Sequence, residues 1–284
     1  MITRTLAFGF ATGLFFPAVA ARAQTTNLVP VADTAMRSNV PDQNFGSDTS
    51  LPIGVANFGS PVNRALFRFD LSVLPTNAII NDVSLELTVT LHPIGATFEL
   101  HRMLSSWSES EATWNNRFVT PSPTPWAAGG ALAGTDFISD GSAAASLISG
   151  VNTFNAPCLT ADVQTWVNNP GSNLGWILMA SGEPAATGEQ VGSREDPVTT
   201  PVLAVTYTVA APPVIFGVHQ VGNQICFSFD AQGGFAYTVE FRNSLTAGNW
   251  NVLTNIPAQL VDITTINLTN TLSSVECYFR VRAP

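Results

Sequence analysis

The sequence predicts an all-β protein of two domains, a larger β-sandwich followed by a smaller one. Three observations predict it. Apolar and polar residues alternate in short runs separated by turn-rich stretches. Helical spacing is confined to one good stretch, TADVQTWVNN (160–169), where Val163, Trp166 and Val167 share a face and Asp162 is expected near the helix start. Late in the chain, TVAAPPV (208–214) forms a stiff, uncharged linker, because Ala-Pro-Pro breaks regular structure and favours an extended backbone.

The elements follow in order. MITRTLAFGFATGLFFPAVAARA places Arg4 before a short apolar run that ends in small residues. It reads as a secretory signal peptide cleaved after Ala23, with Ala18-Val19-Ala20 as a second cleavage site. A membrane anchor is the weaker reading, because the apolar run is short. The expected location is therefore secreted, extracellular or at the cell surface. Strands are expected over 28–38, 64–71, 80–91, 97–104, 174–181 and 201–209. In NDVSLELTV, Val83, Leu85, Leu87 and Val89 point one way and Ser84, Glu86 and Thr88 the other, as in a sheet with one solvated face. In RALFRFDL, Ala65, Phe67, Phe69 and Leu71 share an apolar face. Arg64, Leu66, Arg68 and Asp70 share the other, with the two arginines about 13 Å apart at roughly 3.3 Å per residue. Residues 119–158, rich in Ala, Gly, Ser and Pro, read as loops with one short strand. After 214 the alternation resumes, with Gly233-Gly234 as a hairpin turn and a length that suits an Ig- or fibronectin-like sandwich. The expected boundaries are 1–23 signal peptide, 24–208 first sandwich, 209–213 linker and 214–284 second sandwich.

Composition narrows the function. The 284 residues carry 20 Asp+Glu against 11 Lys+Arg, for a formal charge of −9. Every cation is Arg. Loss of Arg4 and Arg22 with the signal peptide lowers the charge by two more, to −11. Such a surface opposes nucleic acid and anionic membranes, but not an acidic ligand at a local arginine cluster. No later segment is long and apolar enough to span a bilayer as a helix. Of the three cysteines, Cys158 stands alone. For Cys226 and Cys277 a disulfide and two free thiols both stay open. Cys277 shares a face with Val275, Phe279 and Val281, while Cys226 lies opposite Ile225, Phe227 and Phe229. No Cys/His spacing suggests zinc.

Six blocks in order carry a resemblance. They are VADTAMRS, NFGSDTSLPIG, NRALFRFDLSVLP, LHRMLSSWSESEATWNNR, WVNNPGSNLGWIL and SREDPVTTPVLAVTYT, spanning residues 28–208. This set resembles the DNRLRE domain family, also classed as carbohydrate-binding module family 96. The resemblance implies a jelly-roll-like β-sandwich, secretion from a microbe, and binding of an acidic polysaccharide such as alginate. The sequence departs from that pattern at Glu86, where the family often has Arg, and at His101, where an aromatic residue often precedes the Arg that here is Arg102. The tail, through YTVEFRNSLTAGNWNVL and CYFRVRAP, resembles small C-terminal β domains of secreted bacterial proteins, which implies display or spacing and no chemistry.

The candidate site is an arginine-lined sheet face. If the strands belong to one sheet, Arg37, Arg64, Arg68 and His101 line one groove, with Glu99 beside His101 and Arg194 at the edge. Guanidinium groups pair bidentately with carboxylates and so could hold a uronate chain. The competing reading is a set of ion pairs: Arg68 with Asp70, Glu86 or Glu99, and Arg194 with Glu195 or Asp196. Trp107 and Trp126 are candidates for exposed platforms that stack on sugar rings, whereas Trp114 and Trp166 suit the core. Glu109 and Glu111 could share a face as paired carboxylates, but a solvated loop explains them better. There is no GxSxG, HExxH or phosphate-binding Gly-rich loop, and His92, His101 and His219 are dispersed, so no enzyme chemistry is expected. No cofactor is expected. A structural calcium on Asp33, Asp42 and Asp48 stays open, since no spacing demands it. The expected partner is a polysaccharide, alginate or another uronate polymer. A structural or adhesive surface protein without a specific glycan is the alternative.

Overall fold

The computed structural model describes residues 23–56, 61–91, 96–244, 246, 248–260, 263–272 and 276–283. The expected signal peptide, apart from Ala23, lies outside them, as do His92 and Val275. The described chain divides into two compact units, with the boundary between Val209 and Ala210.

The first unit opens with β1 (Gln24–Leu28), β2 (Pro30–Arg37), β3 (Ser50–Val55) and β4 (Val62–Phe69). The long β5 (Ala78–Leu91) and β6 (Thr97–Arg102) follow, then the short β7 (Asn116–Phe118) and β8 (Thr124–Pro125). Next come β9 (Ala143–Ser146), β10 (Gly150–Asn155) and the α-helix α1 (Pro157–Asn168). β11 (Trp176–Ala180), β12 (Glu189–Gly192) and β13 (Val202–Val209) complete it. The pairings between these named strands are antiparallel, and the sheet curls into two layers. One layer holds β1, β13, β5, β10, β12 and β3. The other holds β2, β4, β11, β6 and β9. β3 joins them by pairing Gly54 and Val55 with Asn63 and Val62 of β4. The all-β sandwich is as expected.

Alternation places the core. Phe67 and Phe69 of β4, Phe98 and Leu100 of β6, and Val83, Leu85 and Leu87 of β5 meet between the layers. α1 adds Leu159, Val163 and Trp166, and the Trp166 and Trp176 rings lie 4.5 Å apart. Pro157 rather than Asp162 starts the helix, as its fixed φ suits a first turn. Asp162 sits mid-helix and buried, accepting hydrogen bonds from Trp176 Nε1 (2.9 Å) and Ser142 Oγ (2.5 Å). The stretch read as loops with one strand holds three strands or parts of strands, β8, β9 and β10.

The second unit contains β14 (Ile215–Val221), β15 (Gln224–Gln232), β16 (Tyr237–Arg242), β17 (Asn251–Ile256), β18 (Ile263–Thr271) and β19 (Tyr278–Arg282). They form two three-stranded sheets, β14-β15-β18 and β17-β16-β19. Aromatic pairs Phe227–Phe279 (4.9 Å) and Phe229–Tyr237 (5.4 Å) join the sheets. Gly233-Gly234 is therefore not a hairpin turn: β15 and β16 belong to different sheets, and the glycines carry the crossing. The tight hairpin is at Gly222-Asn223, where Val221 pairs with Gln224 and Gly222 has φ 59°. Cys158, Cys226 and Cys277 are free thiols.

Candidate functional site

The expected arginine face is the outer face of the β2-β4-β11-β6 layer, and it is covered. Register places Arg68 beside Ala32, Leu66 beside Thr34 and Ile177, and Arg64 beside Met36. His101 lies beside Ile177 and Glu99 beside Met179. Ala32, Met36, Leu66 and Ile177 build a second apolar cluster with Met103, Trp107, Trp126, Ala131 and Phe137, all buried. Residues 103–141 thus lie over this face as a lid-like layer. Asp136, 3% exposed, organises that layer: its carboxylate accepts from Ser105 Oγ and from the backbone N–H groups of Ala127 and Leu132 at 2.8–2.9 Å.

This cover corrects several expectations. Trp107 and Trp126 are not exposed platforms. They are 2% and 4% exposed, and their indole N–H groups donate to Leu174 O and Thr113 O, each at 2.9 Å. Trp166 is core, as expected, while Trp114 is half-buried. Arg64 is a clamp: Nε and Nη2 grip Glu183 at 2.6 and 2.9 Å, and Nη1 donates to Gly130 O and Ala131 O at 2.7 and 2.9 Å. Its side chain is 12% exposed and its guanidinium lies 5.5 Å from the Trp114 ring. That ring also rests on Gly129-Gly130, where a Cβ would come within 2.5–2.6 Å of ring atoms. Arg37 is on the opposite sheet face from Arg64 and Arg68, since it pairs with Asn63 and shares the parity of Ala35. Its guanidinium covers Phe45 at 5.1 Å. One groove holding Arg37, Arg64, Arg68 and His101 does not exist.

Other expected residues do come together. Glu99 and His101 share a face, with Nε2 and Oε2 3.3 Å apart, and His101 Nδ1 lies 3.1 Å from Ile138 O. Arg194 meets Glu195 at 2.9 Å, and its guanidinium also grips Glu109 through Nε (2.6 Å) and Nη2 (2.9 Å). Glu109 Oε1 in turn accepts the backbone N–H of Asp33, on the free edge of β2, at 2.8 Å. Asp33 Oδ2 accepts the backbone N–H of Arg194 at 2.8 Å. Asp33 is fully buried, and burial pushes its carboxyl up to about 7. The Arg194 N–H bond opposes that shift, and the Glu195 and Glu109 carboxylates add to it. Glu109 and Glu111 do not act as a pair, because Glu111 turns to Thr120 and Val119. Asp42 binds Asn115, and Asp48 approaches Ser193 through its peptide oxygen, so Asp33, Asp42 and Asp48 do not form one cluster.

Arg37, Arg68 and Arg117 have no carboxylate partner among the described residues, and the last two meet at one segment. Arg68 is half-buried with its guanidinium 5.5 Å from the Trp107 ring, and it has no ion pair among the described residues. Arg117 reaches the same segment, its Nη1 donating to Ser106 O and Oγ at 3.2 Å, also without a carboxylate partner among the described residues. Both therefore flank Ser106-Trp107. Sequence reasoning placed Arg68 in a groove and missed Arg117. The signal for Arg117 was available: it is a cation in a stretch whose carboxylates all lie upstream.

A search of curated proteins finds none that matches the chain. Residues 24–124, the stretch that holds β1–β7 with Arg68, Trp107 and Arg117, match the model of carbohydrate-binding module family 96, so that stretch is similar to the family.

Proposed function

We propose that this chain is a secreted, non-catalytic polysaccharide-binding protein that recognises acidic glycans such as alginate or another uronate polymer. The family match supports carbohydrate binding in general. The observation that carries the acidic specificity is the pair Arg68 and Arg117 at Ser106-Trp107, two cations without a carboxylate partner among the described residues of an acidic protein. Guanidinium groups left in that state accept a uronate carboxylate through two parallel N–H donors. The bond is partly solvent-exposed, so salt weakens it. Binding of the full chain to alginate and pectate, measured by calorimetry at low and high salt beside a neutral glucan, tests this. Retention of the uronates at low salt and loss at high salt is expected. Equal binding to the neutral glucan removes the acidic specificity, and no binding to any of them leaves the structural or adhesive reading. New reducing ends or unsaturated products after incubation would overturn the non-catalytic part.

A further inference from the structure

We propose that Asp33, Glu109 and Glu195 form a calcium site that fastens β2, the 103–141 cover and the segment after β12 to one another. One carboxylate oxygen from each lies within 4.8 Å of the other two. Three oxygens about 2.4 Å from one calcium can all lie up to ~4.2 Å apart, and a trans pair up to ~4.8 Å, so a small closing movement at most brings all three onto a single ion. The second observation is independent of the clustering. Asp33 is 0% exposed, its Oδ2 is taken by the Arg194 N–H, and its Oδ1 has no hydrogen-bond partner. A buried carboxylate oxygen left in that state is costly, and a bound cation removes the cost.

Charge and ligand type select the ion. With Arg194 turned away, the three carboxylates carry three formal negative charges, which a divalent ion offsets more fully than a monovalent one. The ligands are all oxygen, without His or Cys, so the site suits a hard cation and not zinc. The carboxylates come from three separate segments, and the flexible coordination shell of calcium tolerates such a set better than the strict octahedron of magnesium. A peptide oxygen lies close by: Ser193 Oγ bonds both Asp48 O (2.6 Å) and Glu195 Oε2 (3.0 Å). Arg194 is the competitor. It grips Glu109 and Glu195, and its side chain is 38% exposed, so it can swing towards solvent as calcium enters.

The test uses the full chain, stripped with EDTA and titrated with CaCl2, read by melting temperature and by Trp-sensitised terbium luminescence. With calcium ~100-fold above its Kd, the melting temperature should rise by roughly 5–10 °C. Asp33→Asn and Glu195→Gln should each abolish the rise and the terbium signal; Glu195→Gln serves if Asp33→Asn does not fold. Arg194→Gln should tighten calcium several-fold by removing the competing cation. Asp42→Asn and Asp48→Asn should keep the full response. A wild-type chain that melts identically in EDTA and in millimolar calcium overturns the proposal, as does a calcium response that survives Glu195→Gln.

Discussion

The two faces of the β2-β4-β11-β6 layer use the same strands to different ends. The inner face of β4 presents Ala65, Phe67 and Phe69 to a continuous apolar core. The outer face presents Leu66 to a second apolar cluster, with Arg64 and Arg68 on either side of it. Both faces are covered, but along β4 only the outer positions carry charge. The difference teaches that an arginine between apolar neighbours on a strand is not evidence of an open groove. Its role is set by what the covering segment brings to it. Residues 103–141, with Glu183, bring Arg64 a carboxylate and two peptide oxygens; they bring Arg68 only the face of Trp107.

The largest effect should come from the inner face. Phe67→Ala removes a fully buried ring from the main core and should cost about 3–5 kcal/mol, read by denaturant unfolding of the full chain. Next is Arg64→Ala, which strands Glu183 beside the cover and should cost about 2–4 kcal/mol. In the double variant with Glu183→Gln the two losses should be strongly non-additive, since each partner is stranded only while the other remains. If Arg64→Ala leaves stability unchanged and lowers glycan binding alone, the clamp description fails and the arginine face is open after all.

These two residues also show what was legible in the sequence. The period-2 alternation of β4 and β5 fixed the fold class and the inner core, because side chains on successive strand positions must face opposite ways. The second core could have been read, too. Leu66, Met36 and Ile177 occupy outer-face positions, and WILMA in β11 is apolar on both parities, a mark of strands buried on both sides. The partners were less legible. Glu183 lies 119 residues from Arg64, and Glu109 lies 76 from Asp33 and 85 from Arg194. Nothing local in such pairs specifies the contact; the fold creates it. Arg37 illustrates a finer limit. Its parity along β2 was readable, but its face relative to Arg64 depended on the register, which pairs Arg37 with Asn63. The hairpin expected at Gly233-Gly234 failed for a similar reason, because a turn signal does not say whether the chain returns to the same sheet.

Smaller effects sharpen the comparison within the outer cover. Trp126→Phe keeps most of the apolar volume but strands Thr113 O, and should cost about 1–2 kcal/mol with little change in glycan binding. A binding loss as large as that of a surface cation would place the sugar against Trp126 and contradict its burial.

Arg68→Gln should have the smallest effect on stability and a clear effect on binding. The residue has no carboxylate to strand, so unfolding should change by only about 0.5–1 kcal/mol, the value of a partly exposed cation–π contact. Binding to alginate should weaken several-fold, and the remaining affinity should depend less steeply on salt. Adding Arg117→Gln should deepen the loss, because both guanidinium groups border Ser106-Trp107. Arg64→Lys is the contrasting control. It keeps a positive charge under the cover but loses the fork that grips Glu183, so it should lower the melting temperature without changing alginate affinity in the folded fraction. Should Arg68→Gln and the double variant bind alginate as the parent does, neither Arg68 nor Arg117 takes part in recognition.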